Sequence, residues 1–335
     1  MSLDLYLYSK KSPTRESVEE VIFPLGFEPV DEPNGRWYWW FKTENYESIR
    51  GCRLYISKAD PKDQEIPKGT RTIFHSYTNA GRSYEDLAMQ NNVLRKLKSV
   101  FGGSVYDPQE ERYAYIENDI PRLSPAEKKC GLVYAHFHNN LGRAMMGTAD
   151  LDPKFAGLKQ IHEEMASFDR GLITNNLVAV FLVSILETFL KDLFIAYIEM
   201  HPKLQEKIFS KTSKIDYQTL RELLEQRKSL AEVEADSYTF QNLPSANVAY
   251  STYLELNLFK AWNRKKKIGK RFYNIREIIE ELIQLRHKIV HTAYIDLDFD
   301  RAKVDKYRIA VELVGKFLAE ALEKQGFRID LEKYI

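Results

Sequence analysis

The stretch Ile275–Thr292 reads IREIIEELIQLRHKIVHT, and the rest of the chain is best understood outward from it. Ile275, Ile278, Ile279, Leu282, Leu285 and Ile289 recur at helical spacing and form one stripe, which predicts a core helix with a definite exposed side. Its end gathers Arg286, His287, Lys288 and His291, a concentration of cationic and titratable groups that a plain surface helix does not need. At ~100° per residue, His287 and His291 share a face one turn apart, while Arg286 sits ~140° around from His291. A single helix therefore splays these groups. A long arginine can reach back, but two copies of the helix packed about a two-fold axis bring both sets to one cleft more readily, so a homodimer is expected.

Helical periodicity dominates the sequence around this stretch. After residue 150 strand signals almost vanish, and apolar-periodic segments follow at 155–168, 172–200, 217–225, 246–262, 275–291 and 300–324, predicting an all-α bundle over 151–335. The first part of the chain differs. Residues 3–8 read as a strand and 12–23 as a helix capped by Ser12 with Pro13 just inside it. Strand signals recur at 36–42, 50–57 and 70–76, a helix runs from 84 to 101 up to Gly102 and Gly103, and 105–106 and 113–116 offer strands to close the sheet. The order predicts an α+β domain over 1–120, compatible with a ferredoxin-like layer of antiparallel sheet and helices. Pro121 and Pro125, then Gly131, Gly142 and Gly147, mark 121–150 as a connector between the two domains.

Composition narrows the class of protein. A chain of 335 residues, 44% apolar and 29% charged, suits two globular domains rather than a fibre or a disordered tail. The net charge of +1 leaves no global field toward a polyanion, so nucleic-acid binding has to come from local clusters of Lys and Arg. Cys52 and Cys130 stand far apart and outside any CxxC pattern, as reduced thiols of a cytoplasmic protein do. Residues 1–8 lack a basic region followed by an apolar run, so no signal peptide is expected there. The most apolar run, 177–186, is about half the ~20 residues a spanning helix needs, which argues against a membrane protein.

The cluster at the end of the helix suits cleavage of an RNA phosphodiester. An imidazole titrating near neutrality can take the proton of a ribose 2′-hydroxyl or protonate the leaving oxygen. Arg286 would stabilise charge growing on the phosphoryl oxygens. The ribose itself supplies the nucleophile, so neither metal nor cofactor is required, the product ends in a 2′,3′-cyclic phosphate, and DNA should resist.

Arg286-His287-Lys288-Ile289-Val290-His291 resembles the Arg-polar-x3-His form of the Rx4-6H motif of the HEPN superfamily, near the end of a late helix that a short connection and a long closing helix follow. Glu187-Thr188-Phe189-Leu190-Lys191 resembles the Ex3K element of some HEPN branches, although Asp192 follows where Arg is often seen. The resemblance covers roughly 150–325. It implies a small helical bundle that dimerises, with Arg286, His287 and His291 as catalytic residues and Glu187 and Lys191 as auxiliary ones. It also implies an endoribonuclease of the kind found in toxin-antitoxin, abortive-infection and antiviral systems, with structured RNA such as tRNA as substrate and an antitoxin or trigger ligand as partner. Some members are inactive binding modules, which is the competing reading.

Other clusters have both a functional and a plainer reading. His287 and His291 at i,i+4 could be zinc ligands, but Lys288 stands where the HExxH pattern has Glu, and a cation opposes metal binding. His136 and His138 would share one face of a strand, without a third ligand nearby. The run Arg264, Lys265, Lys266, Lys267, Lys270 and Arg271, flanked by Trp262, Phe272 and Tyr273, either tracks an RNA backbone together with Lys288 or is a solvated loop between helices. Trp37, Trp39 and Phe41 alternate with Tyr38 and Trp40 along a strand, which makes either a doubly buried strand or a stacking platform in a sensing domain.

Overall fold

The computed structural model describes residues 2–32, 35–60, 66–152, 167–210 and 215–334. The chain divides into two compact units, one of residues 1–125 with the last residues from Leu331, the other from Ala126 to Asp330.

The first unit is a sheet with two helices. Its elements are β1 (Leu3–Ser9), α1 (Arg15–Ile22), β2 (Glu28–Glu32), β3 (Gly35–Trp40), β4 (Cys52–Lys58), β5 (Thr72–Thr78), α2 (Tyr84–Phe101) and β6 (Ser104–Tyr106). The strands lie in the order β2-β3-β4-β5-β1-β6, and every neighbouring pair is antiparallel. Without β2 and β3, the remaining β-α-β-β-α-β path has the strand order of a ferredoxin-like layer, and the β2-β3 hairpin widens it at one edge. One face of the sheet is the core: Leu5, Leu7, Tyr38, Trp40, Leu54 and Phe74 meet Val18 and Ile22 of α1 and Val93, Leu94 and Leu97 of α2.

Several details differ from the sequence reading, each for a local reason. Thr14, not Ser12, caps α1, accepting a hydrogen bond from the Ser17 amide, and Pro13 lies ahead of the cap. The strand β2 was not anticipated because EPVDE is acidic and contains Pro29, features natural sheets tolerate on an edge strand. The stretch 113–116 adds no strand: only an isolated bridge, Asp107 to Arg112, follows β6, and the Ile116 carbonyl accepts from Asn91 Nδ2 of α2.

The second unit is helical. It comprises α3 (Pro125–Met146), α4 (Arg170–Glu199), α5 (Pro202–Phe209), α6 (Tyr217–Leu224), α7 (Leu230–Ala235), α8 (Leu243–Tyr253), α9 (Leu258–Trp262), the hairpin β7 (Lys265–Ile268) and β8 (Arg271–Asn274), α10 (Ile275–Thr292) and α11 (Arg301–Lys324). The segment read as a connector is therefore largely a helix of this unit. Its glycines hid an apolar period, Cys130, Tyr134, Phe137, Leu141 and Ala144, all of which are buried. His136 and His138 consequently lie ~200° apart around a helix rather than side by side on a strand. The helix expected at 155–168 falls almost entirely outside the described residues. Among the described residues no helix is long and apolar enough to cross a membrane. Burial pushes both the Cys52 and the Cys130 thiols up to about 12, so neither is a thiolate near neutrality.

The bundle closes tightly where α3 meets α11. A Cβ built on Gly315 would stand 2.4 Å from Phe137, whose ring stacks on Phe189 at 4.2 Å. Gly315→Ala is expected to cost about 1–3 kcal/mol by overpacking, partly offset by about 1 kcal/mol of helix propensity. The urea midpoint of the helical unit should fall; a rise would show that Phe137 can turn aside freely.

Candidate active site

The helix α10 starts at Asn274, whose side chain accepts from the Arg276 amide. Ile275, Ile278, Ile279, Leu282 and Leu285 are buried, and Ile289 packs against the same core. The stripe ends there, and the final turns of the helix emerge from the bundle: His287, Lys288, Val290 and His291 are exposed, and Arg286 is half-buried. A left-handed Ala293, with φ of 51°, then stops the helix.

Within a single chain His287 neighbours both Arg286, in a shared cleft, and His291, in ring contact. Arg286 and His287 line one cleft of about 300 Å³ with Gln241, Asn242 and Gln284. The His291 ring lies against His287 with centroids 4.4 Å apart. Gln241 and Asn242 come from the segment leading into α8, so the wall opposite the motif is supplied by another part of the chain. Among the described residues neither histidine has a hydrogen bond or ion pair to another side chain, and the Arg286 Nε is buried without any acceptor. A guanidinium N–H withdrawn from water and left unpaired costs about 1–3 kcal/mol or more.

The remaining candidate residues occupy distinct places. Glu187 accepts a hydrogen bond of 2.6 Å from Gln241 Nε2, which ties it to the rim of the cleft. Lys191 instead pairs with Asp236 at 2.8 Å, next to Lys228, and Asp236 is held below the usual carboxylate range by these partners, Lys191 first. Asp192 is half-buried, and burial raises its carboxyl despite His136 and Lys191 nearby. Lys288 lies 5.9 Å over the Tyr294 ring.

The basic run is a β-hairpin rather than a loop, with Lys265 opposite Asn274 and Lys267 opposite Phe272. Gly269 with φ of 60° opens its two-residue turn, the position that type II′ turns give to glycine. Arg264 is bound to Glu320 and lies over Phe317, toward which Lys266 also leans. Lys265, Lys267, Lys270, Arg271 and Phe272 are exposed. Since the hairpin feeds the start of α10 and the motif ends it, the two are ~17–24 Å apart along the helix.

The sequence also carries a signal for two residues that hold the segment behind the motif. Asn175 and Asn176, fully buried polar side chains in the most apolar helix, bind the segment that follows the motif. Asn176 Nδ2 donates to the Asp296 carbonyl at 3.1 Å, its Oδ1 accepts from the Asp296 amide at 2.9 Å, and Asn175 Nδ2 donates to the Phe299 carbonyl at 3.2 Å. Consecutive amides in an apolar run must find partners, and here those partners fix the turn between α10 and α11.

Comparison with known proteins agrees with this assignment of elements. The family model described as RiboL-PSP-HEPN matches residues 148–324, just over half of the chain, from just after α3 to the end of α11. No curated protein and no solved structure matches the chain.

Proposed function

Because the chain belongs to the RiboL-PSP-HEPN family, we propose that it is a metal-independent endoribonuclease in which Arg286, His287 and His291 carry the chemistry. The observation that supports this most directly is the unpaired, buried Arg286 Nε in one cleft with the exposed His287, whose ring touches that of His291. In this reading His291 takes the proton of the ribose 2′-hydroxyl, and the 2′-oxygen attacks the adjacent phosphorus. The bond from phosphorus to the 5′-oxygen breaks, and that oxygen receives a proton from the imidazole pair, with His287 orienting His291 or sharing the transfer. Arg286 stabilises the negative charge on the phosphoryl oxygens. The products are a 2′,3′-cyclic phosphate and a 5′-hydroxyl.

The active form is taken to be a homodimer. Leu177 and Phe181 on α4 are 59% and 45% exposed, and Val290 and Tyr294 beside the motif are 48% and 45% exposed. α4 runs antiparallel to α10, as Asn176 reaches Asp296 while Val183 meets the 283–287 turn. A second copy covering these exposed apolar side chains would take them out of water. Lys265, Lys267, Lys270 and Arg271 would hold phosphates several nucleotides away from the scissile one. A place in prokaryotic antiviral defence or a toxin-antitoxin pair, with structured RNA as target and an antitoxin or trigger as regulator, is what the HEPN family suggests.

The test is incubation of the purified protein with total RNA and with tRNA in EDTA, followed by analysis of the ends. Fragments bearing 2′,3′-cyclic phosphates are expected, and DNA should remain intact. Binding without cleavage would replace this reading by that of a silent RNA-binding or dimerisation module.

A further inference from the structure

The face of the N-terminal sheet opposite α1 and α2 has a composition that burial alone does not explain. Strand alternation puts Tyr6 and Tyr8 of β1, His75 and Tyr77 of β5, Arg53 and Tyr55 of β4, Trp37 and Trp39 of β3 and Tyr106 of β6 on this side. The rings run across the sheet as a nearly parallel series: Tyr6 to His75 at 4.5 Å, His75 to Tyr77 at 5.5 Å, Tyr77 to Tyr55 at 5.9 Å and Tyr55 to Trp37 at 5.8 Å. Interplanar angles along it stay between 13° and 27°. Arg53 lies over Trp37 and Tyr77 and donates to the Tyr77 hydroxyl at 2.7 Å. Apart from Trp37, which is buried, these groups all keep solvent exposure, so the surface is aromatic, phenol-rich and wet.

The charge around this face is mixed, with Glu28 and Glu32 of the edge strand β2 on the same side as Trp39 and Trp37. At one end the Arg71 amide binds the Ser9 carbonyl, which brings Lys10 and Arg71 to a single rim, whereas Lys58, paired with Thr72, follows Leu54 and Ile56 to the other side of the sheet. Lys10 and Arg71 are exposed, and neither is ion-paired among the described residues. The opposite end is acidic, with Asp4 bound to His75 Nε2 at 2.8 Å. An aromatic row beside a cationic rim matches a chain of planar bases on a phosphate backbone better than it matches a protein surface, because stacking tolerates any base and the rim takes the charge.

We infer that this face binds single-stranded RNA, with bases stacking on the row from Tyr6 through His75 and Tyr77 to Tyr55 and with phosphates along Lys10 and Arg71. The choice of RNA over DNA rests on the ribonuclease reading; the stacking surface does not. The N-terminal unit would then capture unpaired segments of the RNA, a selectivity the cleft around Arg286 does not supply.

The experiment uses the full chain and a fluorescein-labelled 2′-O-methyl RNA 12-mer, which keeps bases and phosphates but lacks the nucleophilic hydroxyl, so that binding is read apart from cleavage. Tyr6→Leu and Tyr77→Leu should each weaken binding about 10-fold or more, whereas Tyr6→Phe and Tyr77→Phe, which keep the ring, should bind much as the native protein does. Replacing Lys10 and Arg71 by Ala should flatten the salt dependence of binding, and an RNA duplex of the same length should bind more weakly than the single strand. Because a leucine variant could fail to fold, circular dichroism accompanies each, and ultraviolet crosslinking of the native protein provides an independent readout, with adducts expected in the peptides of β1 and β5. Folded leucine variants that bind like the native protein, duplex bound as tightly as single strand, or crosslinks confined to the helical unit would each overturn the proposal, whatever the outcome of the cleavage assay.

Discussion

His291→Ala is expected to lower EDTA-resistant RNA cleavage by about 10²–10⁴-fold, the usual contribution of a positioned acid or base, and Arg286→Ala by about 10²–10³-fold, as for loss of one donor to a developing oxyanion. The folded protein should survive both changes. His291 is exposed on the last turn of α10, and Arg286 is half-buried without a partner to abandon, so each substitution should cost no more than about 0.3–1 kcal/mol through the helix dipole. The helical circular-dichroism signal and the thermal midpoint should therefore stay close to those of the native chain. Arg286→Lys should restore little, because an ammonium cannot present the paired donors of a guanidinium to a phosphate. Groups that act as one unit lose their effects together, so the double variant should be hardly worse than the poorer single one. If expression of the native protein slows cell growth, the same substitutions should relieve it. Undiminished cleavage by both single variants would remove the mechanism and leave only the binding module.

The helical half was legible where one face of an element is buried and the other wet. The stripe from Ile275 to Leu285 gave α10 to within a residue, and the high apolar content of α4 marked the helix at the centre of the bundle. Where punctuating residues sit inside an element, the pattern misled: Gly131 and Gly142 concealed α3, and the lysines of β7, poor strand formers, concealed the hairpin despite its glycine turn. The site was legible only as a cluster. The splay between Arg286 and His291 was correct for an isolated helix, but the cleft that lets Arg286 share a space with His287 is completed by Gln241 and Asn242, whose approach is set by how α8 packs and has no local signature. The aromatic alternation of β3 indicated two faces. That Tyr38 and Trp40 face the core while Trp37 and Trp39 join a wider row depended on the partner strands, which only the register reveals.

Asn176→Ala should cause the largest loss of stability among these variants, about 2–4 kcal/mol, because it leaves both the amide and the carbonyl of Asp296 without their partner in an otherwise buried setting. For a helical unit of this size, that corresponds to a fall in Tm of roughly 4–16 °C. The effect should not stop at stability. The turn held by Asn176 begins directly after the motif, and the left-handed Ala293 gives the last turn of α10, with His291 on it, no other fixed stop. Well below the transition, where nearly all molecules are folded, the variant should still bind RNA with a near-native KM yet cleave with kcat reduced about 10-fold, as expected when a catalytic group is slightly misplaced rather than removed. Asn175→Ala offers the comparison, since its bonds go to Ala149 and Phe299, farther from the motif; it should lower the midpoint while leaving kcat nearly intact. Native-like kcat for Asn176→Ala at low temperature, together with the lowered midpoint, would show that the asparagine serves the fold alone and that α10 orients His291 without help from the turn behind it.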